Sequence, residues 1–172
     1  MPQYVTQELQ NPYPTRAYNE ITEFKYLSPM ILRREIEAVK TRGDQEDADY
    51  VVGADYVVGY RLDRGPQIQL VVPKGLLTDL ASVPRLTRFL VDRVGPHLEA
   101  SIVHDFLYVA WQDVTGLSPR EEDRRFADDM LNAGMKEAEV NSVMRFVIYH
   151  AVRTFGWSAF VTPNPQRYVP VP

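Results

Sequence analysis

The sequence contains no cysteine, so disulfides and thiolate metal sites are both excluded. It has no basic stripe either. Lys and Arg total 19 against 23 Asp and Glu, a formal net charge of -4. That argues against a nucleic-acid partner, because phosphate binding needs clustered cations. No apolar run approaches the roughly 20 residues that span a bilayer. The N-terminus, MPQYVTQELQ, lacks the basic stretch and apolar run of a signal peptide. A cytosolic origin is the expectation. A viral protein made in the host cytoplasm and carried in the virion fits equally well.

What is present suits one folded domain: 172 residues, 45% of them apolar. Residues 1–30 are rich in Pro and Tyr and read as an extended arm. Residues 162–172, with Pro163, Pro165 and Pro170 around Arg167 and Tyr168, read as a tail. Both ends are expected to wrap partner proteins, such as other virion components. The single globular domain is placed at 31–161, with the site region at 75–156.

The first half has strand character. Residues 31–36 mix apolar and polar side chains. The hexapeptide ADYVVG occurs in tandem at 48–53 and 54–59, which reads as a local duplication or a hairpin arm. Gly65-Pro66 marks a turn, and residues 67–72 alternate as a strand does. The second half is helical. One helix is expected from Leu98 to Gln112. The next starts at Ser118, with Pro119 at the first position and Glu121 completing a capping box, and ends near Gly134. A third runs from about Glu137 to Thr154, with Val140, Val143, Met144, Val147, Ile148 and Ala151 at helical spacing, and Gly156 stops it. The fold expected is α+β: a small antiparallel sheet, then three helices, two of them antiparallel.

Three elements carry candidate chemistry. On the first helix His104, Tyr108 and Trp111 share a face, and Asp105 lies about 100° around. An adjacent His-Asp pair combines a proton acceptor with a carboxylate that can hold a cation. In isolation the dipeptide reads more simply as a helix pair bonded to its neighbours. The second element is Thr78-Asp79-Leu80-Ala81-Ser82-Val83-Pro84-Arg85, where Asp79 sits in a turn beside free carbonyls. A capped turn is its simpler reading. The third is Asp123, with Phe126 and Met130 at i+3 and i+7. Its inward carboxylate could hold the histidine ring in one tautomer, or pair with Arg120, Arg124 or Arg125. Asp128 and Asp129 are expected to face solvent, and His97 and His150 to be ordinary surface or interface residues. A zinc site is disfavoured because a second histidine ligand is missing.

The ordered blocks T-D-L-A-S-V-P-R, H-D-F-L-Y and E-D-R-R-F resemble a phage and bacterial family of unknown function, over roughly residues 68–156. Those blocks are in turn similar to bacterial phospholipase A2 enzymes, whose last block matches Tyr149–Gly156, and to parvoviral capsid phospholipases. The resemblance implies a phospholipase A2-like helical core and a calcium-dependent phospholipid-ester hydrolase. It implies His104 as general base, Asp123 orienting His104, and Tyr108 bonded to Asp123. It implies calcium held by Asp79, Asp105 and the Leu80 carbonyl. The chain departs from that pattern: Ala81 stands where the bacterial enzymes have Cys, and Leu107 replaces a Gly. Beside the enzyme stands a non-enzymatic reading, a tail, baseplate or adaptor protein with a silent site.

Overall fold

In the computed structural model, residues 9–34, 50–78, 95–165 and 167–169 are described. Their strands are β1 (Ile21–Tyr26), β2 (Leu32–Arg34), β3 (Tyr50–Val52), β4 (Tyr56–Leu62), β5 (Gln67–Val72) and β6 (Leu77–Thr78). Their helices are α1 (Leu98–Val109), continued by a 3-10 turn (Ala110–Asp113), α2 (Glu121–Glu137), α3 (Ser142–Phe155) and α4 (Trp157–Val161). The mixed α+β fold is as expected, with α4 as an added short helix.

The strands form two antiparallel sheets, β1-β4-β5 and β2-β3-β6. The tandem hexapeptide is divided between them. Its first Tyr-Val-Val is β3 in one sheet, and its second opens β4 in the other. The β4–β5 hairpin turns at Asp63 and Arg64, both at positive φ, one step before the expected Gly65-Pro66. The Asp63 carboxylate accepts the Asn19 and Glu20 backbone N–H groups, which ties the arm to that turn.

The stretch read as an arm thus supplies β1, and it docks further back. Tyr13 is 3% exposed, and its hydroxyl donates to the Leu107 carbonyl at the end of α1. Tyr18 donates to Asp129 at 2.7 Å. The described tail residues 167–169 also dock on the chain itself, along residues 75–77. Gly75 makes that approach possible: its φ of 89° is a conformation L side chains rarely adopt.

Helix α1 is buried continuously from Ile102 to Tyr108, as expected for a helix packed on more than one face. Helix α2 runs antiparallel to it: Ala100 meets Gly134 while His104 meets Asp128. Two details differ from expectation. No capping box forms at Ser118; α2 begins at Glu121 after an extended, uncapped Arg120. Gly134 does not end the helix. It lies inside α2 because a Cβ there would sit 2.9 Å from the Ala100 Cβ and 3.1 Å from the Tyr26 hydroxyl. The helix ends instead at Ala138, with Glu139 left-handed at φ 58° and Val140 N–H returning to the Met135 carbonyl. Gly134→Ala is therefore expected to destabilise the fold by about 1–3 kcal/mol through overpacking. A thermal melt equal to wild type would contradict that close approach.

Helix α3 is capped by Asn141, whose side chain accepts the Met144 N–H. Its buried face is Ile148, Ala151 and Val152, whereas Val143, expected inside, is 71% exposed. No helix among the described residues is long and apolar enough to cross a membrane.

Candidate functional site

Helix α2 has two buried stripes, and their division decides the site. Asp123, Phe126, Ala127 and Met130 lie on one. Phe126, Ala127 and Met130 join the large core with Phe24, Val58, Tyr60 and Leu62 of the first sheet. Arg124, Asp128, Leu131 and Met135 lie on the other, where Leu131 and Met135 pack with Ala100, Ile148 and Val152. Residues 123 and 128 are about 140° apart around the helix, so one direction cannot serve both. The stripe that meets His104 is the second.

Asp128 is accordingly the partner of His104, in place of Asp123. His104 Nε2 lies 2.9 Å from Asp128 Oδ1, and Tyr108 Oη donates to the same oxygen at 2.7 Å. The two rings are in tilted contact, with centroids 4.0 Å apart and an interplanar angle of 41°. Asp128, expected at the surface, is 0% exposed, and His104 is 3% exposed. A carboxylate only accepts hydrogen bonds, so the ring proton sits on Nε2. In the neutral ring Nδ1 then carries the lone pair.

The other carboxylate oxygen is held from α3. Arg153 NH1 lies 2.9 Å from Asp128 Oδ2 and Arg124 NH1 lies 3.6 Å from it, while Glu121 bridges both arginines. Burial pushes the Asp128 carboxyl up, but the hydrogen bonds from His104, Tyr108 and Arg153 outweigh it and hold it below the ordinary carboxylate range. Burial, then the Asp128 charge, pushes the Tyr108 phenol well up, so it serves as a donor. Arg153 had no role in the sequence reading. Its signal was an arginine one turn beyond Tyr149, on the helix facing α2.

Asp123 is engaged elsewhere. Arg120 grips it through Nε at 2.8 Å and NH2 at 2.7 Å, beside a pocket lined by Arg16, Tyr18 and Arg125. The expected bond from Tyr108 to Asp123 is replaced by the one to Asp128. The reason is the packing just given: sequence spacing puts an apolar face beside either acid, and only tertiary contact selects one. His97, expected as a surface or interface residue, is buried within the chain, 7% exposed.

Asp105 is on the adjacent face of α1, 9% exposed, and its Oδ2 accepts the Thr78 hydroxyl at 2.7 Å. Asp79 and Leu80, the two other proposed ligands, lie outside the described residues, as do Arg85 and Arg88. Among the described residues no group of three His, Asp or Glu side chains is gathered to hold a metal ion. The described pockets are not lined by His104 or Asp105.

No curated protein and no solved structure matches the chain. A family match covers residues 55–152, from β4 to α3, and so takes in His104, Asp105, Tyr108, Asp123 and Asp128. Spanning more than half of the sequence, it shows that the chain belongs to the family described as protein of unknown function (DUF1353).

Proposed function

We propose that the chain is a calcium-dependent hydrolase of phospholipid esters, similar in its site to phospholipase A2, with His104 as general base. The observation that carries this is the buried His104–Asp128–Tyr108 cluster one residue from the Asp105–Thr78 pair. Asp128 takes the role expected of Asp123: it fixes the ring tautomer and steadies the imidazolium formed during the reaction. Tyr108 and Arg153 keep that carboxylate ionised and in place. His104 Nδ1 takes a proton from water as the water oxygen attacks the ester carbonyl carbon. The same proton then passes to the departing alcohol oxygen.

The residues fit a hard cation. Asp105 offers carboxylate oxygens and Thr78 a hydroxyl beside them, a donor class that suits calcium and not zinc. Asp79 and the Leu80 carbonyl complete the proposed set. Bound there, calcium supplies charge that polarises the ester carbonyl and stabilises the oxyanion.

Calcium titration by calorimetry tests the ion site. Wild type is expected to bind, and Asp105→Asn to bind about 10–100-fold more weakly. Equal affinity in the two would overturn the assignment.

The closure of the cluster supports a second reading, a non-enzymatic virion component such as a tail, baseplate or adaptor protein. His104 is 3% exposed, and Arg124, Arg153 and Glu121 complete a network that would brace α1, α2 and α3 with no chemistry at all. Presence in purified particles, with no calcium binding and no ester hydrolysis, selects that reading.

A further inference from the structure

Asp113 ends the 3-10 turn that continues the helix of His104 and Asp105, and its side chain is 1% exposed. Both ends of the described chain converge on it. Leu9 N–H donates to its carbonyl at 3.2 Å. Arg167 grips its carboxylate, with Nε 2.9 Å from each oxygen and NH2 on Oδ1. Arg167 NH1 donates to the Asn164 carbonyl at 3.0 Å, which fixes the guanidinium.

The backbone of the same tail segment lies along the entry to β6. Leu77 N–H donates to the Arg167 carbonyl at 2.9 Å, Val169 N–H donates to the Gly75 carbonyl at 2.8 Å, and Tyr168 bridges Leu76. On the other edge the Leu76 carbonyl accepts from Val52 of β3 at 2.9 Å. Thr78, which follows Leu77, reaches Asp105. A ring of contacts therefore closes, from Arg167 to Asp113, along α1 to Asp105, across to Thr78 and back through Leu77 to Arg167.

We propose that Arg167 is a positioning residue, whose clamp between Asp113 and β6 sets how Thr78 is presented to Asp105, and so sets the affinity for the cation. The consequence for the cation rests on the calcium reading above; the clamp on β6 does not. Arginine suits the task because its planar fork holds a carboxylate in two directions while its own backbone pairs with the strand.

The test uses the full chain as wild type, Arg167→Ala and Arg167→Lys. Amide hydrogen exchange is read at Leu77 and Thr78, and calcium affinity by calorimetry. Arg167→Ala is expected to speed exchange at Leu77 and Thr78 about tenfold, with α2 amides unchanged, as a local opening would. It is expected to weaken calcium about tenfold, in the range of outer residues that orient ligands. The lysine variant, which keeps the charge and loses the fork, is expected to fall between. It carries the same comparison if the alanine variant does not fold. Unchanged exchange at Leu77 and Thr78, or faster exchange spread equally over α2, overturns the clamp. If wild type binds no calcium yet the alanine variant loosens β6, the clamp stands and the calcium reading falls. If wild type and variant bind calcium equally with β6 unmoved, the clamp falls and the calcium reading stands.

Discussion

His104→Ala is expected to reduce calcium-dependent ester hydrolysis by about 10²–10⁴-fold, the range for loss of a positioned general base. The fold should survive. Asp128 keeps the Tyr108 hydroxyl at 2.7 Å and Arg153 at 2.9 Å, so removing the ring does not leave a buried charge alone. The expected stability cost is about 1–3 kcal/mol, for a lost buried hydrogen bond and the space left behind. Fatty-acid release and a melting curve on the same preparation check both halves. Wild-type hydrolysis by the folded variant would remove His104 from the chemistry.

Asp128→Ala should have the largest effect on stability of any change in the site. It strips His104 and Tyr108 of their acceptor and leaves Arg124, 7% exposed, and Arg153 with one carboxylate fewer between them. Breaking a buried pair in this way costs about 3–5 kcal/mol. Asp123→Ala should cost no more than about 1 kcal/mol, because its partner Arg120 is 47% exposed and can turn to water. Hydrolysis should be lost in the first variant and kept in the second. The reverse ranking would restore Asp123 to the role that sequence spacing assigned it.

The acid side of the stability profile follows from the same group. The folded-state carboxyl of Asp128 is held below its unfolded value. Its contribution is therefore present above about pH 4 and lost as pH falls through the folded value. Asp128→Ala should lose that part of the acid dependence.

Much of the architecture was legible because periodicity is local. The alternation at 67–72 is β5, and the run from Leu98 is α1 with its 3-10 extension. His104 and Tyr108 were placed together by i, i+4 spacing alone, and their rings meet with centroids 4.0 Å apart. The partner acid was not legible, because α2 offers Phe126 and Met130 beyond Asp123 and Leu131 and Met135 beyond Asp128. Each acid thus has apolar residues at i+3 and i+7, and only the packing of α1 chooses between them. Val143 was misplaced for a related reason: apolar residues run around α3, so the stripe did not define the inward face. The docking of both ends was equally hidden. It depends on single long-range bonds, Tyr13 to Leu107 and Arg167 to Asp113, that no local pattern announces.

Release of fatty acid from labelled phospholipid vesicles, measured with calcium and with a chelator, addresses the proposed chemistry most directly. Release is expected in calcium, none in chelator, and none from His104→Ala in either. Equal release with and without calcium, or no release from wild type with calcium bound, would contradict it.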